Sequence, residues 1–230
     1  MLTTAKLNSA GQAISYHQQD YGNASERYYA QGSSISEWIG PMAADFGLAG
    51  EVAPSPYEML ANGKSPTGEQ LVRVKRSSEY VVDGKKVKAA KHTVGWDLTF
   101  SAPQSFSAAA ILGPDHELRQ AHEAAVKAAM AAVGRYVQAR LSRNRVEMTG
   151  HWVAAVFHHD SARPVGSFSS VALHDHVVLF NMTRTAAGKT RAMQTREVYQ
   201  SKRLGTAVYR AELGRRALGL GYQITRGKHG

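Results

Sequence analysis

A single α+β domain, with strands set around two long helices, is the fold class this sequence predicts. Three observations carry that reading. Several segments alternate apolar and polar residues at period two; others space apolar residues by three or four; and no repeat or low-complexity linker divides the chain. At 230 residues, 43% of them hydrophobic and 20% charged, the chain is long enough to bury a real core.

The elements follow in order. The opening fifty residues are rich in Ser, Gly and Tyr ("ISYHQQDYGNASERYYAQGSS") and pass into "SEWIGPMAADFGLAGEV", where Trp38, Met42 and Phe46 stand at helical spacing. Residues 71–94 read as a hairpin: "SEYVV" and "KKVK" flank Asp83-Gly84, a pair suited to the positive φ angles of a tight turn. In "VGWDLTF", alternation puts Trp96, Leu98 and Phe100 on one face and Asp97 and Thr99 on the other. "SAPQSFSAAAIL" follows as a helix, with Ser101 near its start, Pro103 suited to its first turn and Gly113-Pro114 breaking it. Leu118, His122, Ala125, Ala129, Val133, Tyr136 and Arg140 are spaced by three or four, which predicts a helix from Asp115 to Leu141. "HWVAAVFHH" and "ALHDHVVLFNMT" read as strands joined by the loop "DSARPVGSFSSV", and a last helix covers about residues 197–219, ending near Gly219 and Gly221.

The charge balance narrows the partners. Lys and Arg number 28 against 18 Asp and Glu, a net charge of +10 with His neutral. Such a field favours an anionic partner, nucleic acid before an acidic membrane surface. The chain has no cysteine, which excludes disulfides and thiolate metal sites and fits a reducing compartment. The start, "MLTTAKLNSAGQ", has no apolar signal-like core, and no run reaches the roughly 20 apolar residues of a membrane span, so a soluble, cytoplasmic protein is expected.

Chemistry concentrates in "VALHDHVVLF". On a strand, i and i+2 share a face, so His174 and His176 point one way and Asp175 the other, with Val177 and Leu179. Two imidazoles about 6–7 Å apart at Cα can converge on one divalent ion if a neighbouring strand supplies a third. "AVFHHDSAR" offers it, and because His158 and His159 face opposite ways only one can join. The plainer reading is a solvated edge strand that happens to carry polar residues. Three neutral imidazoles with open positions would make a Lewis acid rather than a closed structural site.

Taken together, "GWDLTFSAPQSFS", "VFHHDSAR", "LHDHVVLFNMT" and "GTAVYRAEL…LGYQITRGKHG" resemble, in order, the N-terminal relaxase domain of MobF-class conjugative relaxases, members of the histidine-triad (HUH) endonucleases. The resemblance runs from "SYH…RYYA…SEWIG" to the final "GKHG". It implies a palm-like antiparallel β-sheet with flanking helices, related to the RNA-recognition fold. It implies site- and strand-specific DNA nicking and strand transfer at a plasmid origin of transfer. The expected partners are single-stranded DNA and a DNA hairpin at that origin, with relaxosome accessory and secretion-coupling proteins. "HHDSAR" matches the family motif with His159, so the implied metal triad is His159, His174 and His176, holding Mg²⁺ or Mn²⁺. The residues 1–230 are then one DNA-nicking domain, stopping before the family's C-terminal relaxase segment and helicase.

The resemblance also gives the N-terminal tyrosines a role. Tyr16 matches the first member of the family's first tyrosine pair and is the expected nucleophile; the second position of that pair is His17 here, a departure. Tyr28 and Tyr29 match the second pair, suited to the second transfer, while a "YY" pair can also simply cover a sheet. A phenol of pKa about 10 needs help to ionise, and its phosphodiester retains the energy of the broken bond, so no nucleotide is required. Asp97 matches the aspartate of the family's "DLTFSAP", as proton acceptor for the tyrosine or as orienter of a metal histidine, against a bland role in capping the next helix.

Lys85, Lys86, Lys88 and Lys91 form a cationic ribbon able to contact DNA, or a strand edge guarded by lysines against aggregation. Arg184, Arg191, Lys202 and Arg203 are further basic candidates. "AAGKT" and "NGKS" lack the upstream glycine of a phosphate loop and are set aside. Three rival functions stay open: a rolling-circle replication initiator with the same chemistry, a metal-stabilised single-strand binder without catalysis, and a metallo-hydrolase using bound hydroxide.

Overall fold

A computed structural model describes residues 1–14, 36–73, 79–82, 85–88, 93–113, 115–162, 169–225 and 227, with 79–82 and 85–88 as backbone. In chain order the elements are β1 (Leu2–Leu7), β2 (Ser36–Ile39), α1 (Pro41–Asp45), α2 (Pro54–Ala61), β3 (Glu79–Val82), β4 (Lys85–Lys88), β5 (Gly95–Ser101), α3 (Gln104–Leu112) and α4 (His116–Gly134). They continue with β6 (Gln138–Ser142), β7 (Arg145–Met148), β8 (Ala154–Ser161), β9 (Val171–Phe180), β10 (Thr183–Arg184), β11 (Thr190–Arg191), α5 (Thr195–Gln200) and α6 (Lys202–Gly219).

Five strands form one antiparallel sheet in the order β1-β5-β9-β8-β2, and β3-β4, β6-β7 and β10-β11 form separate two-stranded ribbons. Alternation along the strands divides the core into two. Trp96, Leu98 and Phe100 of β5, Val156 of β8 and Val177 and Leu179 of β9 meet Ala125, Val126, Ala129, Met130 and Val133 of α4 and Tyr209 and Leu213 of α6. The other face carries Phe157, Val178 and Phe180 against Trp38, Met42, Tyr57 and Leu60. The palm-like sheet with flanking helices is thus the fold that the motifs implied, and no helix among the described residues is long and apolar enough to cross a membrane.

Local chemistry sets the boundaries. The Asp115 carboxylate accepts from the backbone N–H groups of Glu117 and Leu118 at 2.9 and 3.2 Å, which starts α4. Three boundaries differ from the sequence reading. The helix expected to reach Leu141 ends at Gly134, and Gln138–Ser142 instead pairs with Arg145–Met148 as a hairpin, burying Val137 and Ala139. Trp38 belongs to β2 rather than to a helix, because Ser36–Ile39 pairs with Ala154–Phe157 along the sheet edge. The last helix is two, α5 and α6, parted at Ser201, whose hydroxyl donates to the Val198 carbonyl at 3.0 Å.

Candidate metal centre

The pleat of β9 positions the site. His174 and His176 share the face that carries Val178 and Phe180. His159 of β8 is the direct cross-strand partner of His174, and the next row sets Thr99, His176 and Phe157 side by side across β5, β9 and β8. The apolar end of this face is filled by the second core, and the three histidines occupy its polar end.

Their rings form a near-equilateral triangle. Centroids lie 5.0 Å apart for His159–His174, 5.1 Å for His159–His176 and 5.1 Å for His174–His176. With metal–nitrogen bonds of about 2.1 Å, ring centres sit about 3.2 Å from the ion, so three rings at tetrahedral angles stand about 5.2 Å apart. The spacing fits a divalent cation. The distances alone carry this fit: among the described residues no group of three His, Asp or Glu side chains stands placed to hold a metal ion as it is.

The hydrogen bonds behind the rings suit the same task. His174 Nδ1 donates to the Ala172 carbonyl at 2.8 Å, and His176 Nδ1 donates to the Asp97 carboxylate at 2.9 and 3.1 Å. Both contacts commit the proton to Nδ1 and leave Nε2 as a lone-pair donor. Burial lowers the pKa of His174 below 6.5, aided by the neighbouring imidazoles of His159 and His176 against an upward pull from the Ala172 bond, and so favours the neutral, ligating form. Asp97 lies buried in mid-β5, its carboxylate on His176 and Thr99 Oγ1 3.3 Å from the same ring nitrogen. It caps no helix: α3 starts three residues after β5 ends, with Pro103 at its N-cap.

The opposite face of β9 holds residues that the motifs leave without a role. Asp175 points away from the triad, as alternation predicts, and is fully buried. His158 Nδ1 donates to its Oδ1 at 2.9 Å, and His122 Nε2 of α4 lies 3.3 Å from the same oxygen. His122 Nδ1 sits 2.8 Å from the hydroxyl of Tyr209 on α6, and His158 Nε2 is 3.8 Å from Glu37 of β2. Burial resists a charge on His158, yet the Asp175 carboxylate, with Glu123 and Glu37, raises its pKa to about 9. Burial resists ionisation of Asp175 too, and His158 and His122 overcome it, holding the carboxyl well below its ordinary range. Besides the alternation that turns Asp175 and His158 this way, the sequence signal for this network is a histidine on the apolar stripe of a helix, as His122 is.

Tyr16, Tyr28, Tyr29 and Lys91 lie outside the described residues, and Lys85, Lys86 and Lys88 stand on β4, described in backbone. Arg184 donates to Asp45 at 2.6 Å and lies over the Phe46 ring, while Arg191, Lys202 and Arg203 are exposed. "AAGKT" makes the turn of the β10–β11 hairpin, with Gly188 at φ 74°, and "NGKS" follows α2 in a turn with Gly63 at φ 69°. Neither is a phosphate loop.

Comparison with known proteins meets this geometry. Over an alignment of 244 positions that takes in the whole chain, it is 32% identical to the multifunctional conjugation protein TraI of Escherichia coli, of which it spans 13%. The chain superposes on a copper-bound conjugative relaxase TrwC in complex with oriT DNA with a TM-score of 0.83 and 33% identity, covering 100% of this chain and 74% of that one. A TrwC complex with a 27-mer DNA comprising the recognition hairpin and the cleavage site gives 0.73 and 32% identity over 99% of this chain and 72% of that one. Residues 10–230 match the TrwC relaxase family model, a span that takes in β8 and β9 with all three histidines, and the chain belongs to that family.

Proposed function

We propose that this chain is a DNA relaxase domain: it nicks one strand of DNA at a plasmid origin of transfer by transesterification to a tyrosine. The observation that carries this reading is the triangle of His159, His174 and His176, backed by Asp97, in a member of the TrwC relaxase family. His159, His174 and His176 hold a divalent cation, Mg²⁺ or Mn²⁺. Bound there, it supplies charge neutralisation to the phosphate under attack. Asp97 fixes the ring and tautomer of His176 and thereby acts as the orienting carboxylate rather than as the tyrosine's base.

The Tyr16 hydroxyl loses its proton and its Oη attacks phosphorus. The new Oη–P bond replaces the P–O3′ bond, so Tyr16 keeps the 5′-phosphate and the departing strand takes a proton as a 3′-hydroxyl. Tyr28 or Tyr29 serves the second transfer, and Lys85, Lys86 and Lys88 of the β3–β4 ribbon, with Lys91, contact a DNA hairpin beside the single-stranded nick region. Accessory and secretion-coupling proteins are the further partners of such a reaction, in the cytoplasm.

Incubating the chain with an origin oligonucleotide and Mn²⁺ should give an SDS-resistant protein–DNA adduct, absent in Tyr16→Phe and reduced at least a hundredfold in His174→Ala. An adduct that persists in Tyr16→Phe removes that tyrosine as the nucleophile. A cut strand with no adduct points instead to hydrolysis.

A further inference from the structure

His159 is the one triad member outside β9, and the ladder fails just beyond it. Between His159 and Ser161 the β8–β9 register shifts, as it does at a bulge, so regular pairing fixes His159 from one side only. What holds the strand there lies on the helix side. Asp160, at the shift, is buried and accepts from Arg119 Nη1 of α4 at 2.6 and 2.7 Å, both side chains 11% exposed. His158, on the other flank, is bonded to its cross-strand partner Asp175, which itself sits between His174 and His176 and meets His122 of the same helix. Both neighbours of His159 are therefore tied through charged contacts to α4, and one of them is tied also to the strand carrying the other two histidines.

We infer that Asp160 and Asp175 are positioning residues that set His159 against His174 and His176 from behind the sheet, with Arg119, His158 and His122 as their anchors. This rests on the reading of the triad as a metal site. The aspartate of the "HHDSAR" motif and the central aspartate of "LHDH" thereby acquire work that the ligand set leaves unassigned. The geometry argues for positioning rather than stability alone. A buried ion pair is a poor stabiliser compared with packed apolar residues, yet it fixes direction, and both pairs here sit one residue from a ligand.

The test is calorimetric titration of the full chain with Mn²⁺ alone, beside binding of a hairpin oligonucleotide in chelator. Arg119→Met and Asp175→Asn should each weaken Mn²⁺ binding about tenfold or more while hairpin affinity stays within twofold, because supporting contacts to ligands typically matter by about 10–100-fold. Arg119→Lys, which keeps a cation beside Asp160, should recover most of the affinity. Mn²⁺ affinity within twofold of the unsubstituted chain's in either variant overturns the inference, and so does parallel loss of Mn²⁺ and hairpin binding, which marks a merely structural role. If Asp175→Asn does not fold, the contrast between Arg119→Met and Arg119→Lys decides alone. An unsubstituted chain that takes up no more Mn²⁺ than His174→Ala overturns the metal reading itself, a separate failure.

Discussion

At the residue scale, one strand segment places three ionisable groups in two unlike settings. His174 and His176 each donate from Nδ1 to an acceptor behind the ring, while Asp175 between them sits fully buried against two imidazoles. The perturbed groups on the helix side make a prediction with a definite sign. His158 has its pKa raised from 6.5 to about 9, so its contribution to stability is whole below pH 6.5 and is lost as pH climbs through about 9. Asp175 is depressed, so its contribution is present above its ordinary 3.8 and fades only far into acid. The groups facing His158 are Asp175 from β9, Glu37 from β2 and Glu123 from α4, all acidic. In chelator, the melting temperature should fall by a few degrees between pH 6.5 and 9, the scale of about 1–2 kcal/mol in a chain of this size. His158→Gln should flatten that fall. A parent melting temperature that is level across the interval contradicts a charged His158–Asp175 pair.

At the element scale, the end of α4 is a contest between helix propensity and packing. Gly134 closes the helix, and a Cβ there would overlap the indole Nε1 of Trp152. Alanine would gain about 1 kcal/mol of intrinsic propensity, whereas overpacking against a rigid ring costs about 1–3 kcal/mol. Gly134→Ala should therefore destabilise, and a denaturant midpoint raised by the substitution would contradict the close approach of the indole. The same helix shows what sequence could and could not reveal. Alternation in "VGWDLTF" and "LHDHVVLF" is local, and the faces of Asp97, His174, Asp175 and His176 were legible from it. The 3.6-residue spacing of Val133, Tyr136 and Arg140 ran on past the true end, because nothing in it records that Gln138–Ser142 has a hairpin partner. The partners of Asp175 were illegible for a related reason. His122 and Tyr209 come from two helices remote in sequence, brought together only by the packing of α4 on α6 over the sheet.

At the scale of the whole molecule, a net charge of +10 and a separate lysine-bearing ribbon would favour the DNA partner proposed above. Each phosphate that a lysine neutralises releases counterions, so affinity should fall steeply with salt. Removing one such lysine should flatten the log–log slope by about 0.9 on duplex DNA. Replacing Lys85, Lys86, Lys88 and Lys91 by alanine should flatten the slope for a hairpin oligonucleotide while leaving the melting temperature within a few degrees. An unchanged slope would assign those lysines to guarding a strand edge.

The pleat of β9 has one more consequence, for how this chain can vary. From Leu173 on, its residues serve two masters in strict turn, Leu173, Asp175, Val177 and Leu179 for the helix side and His174, His176, Val178 and Phe180 for the other. Substitution can tune either set, but a single-residue insertion or deletion inside the strand exchanges them, sending imidazoles into oil and leucine to the histidine side. A length change inside Val171–Phe180 should therefore disturb the core and the histidine face at once, and the spacing of the histidines is tied to the packing of the sheet.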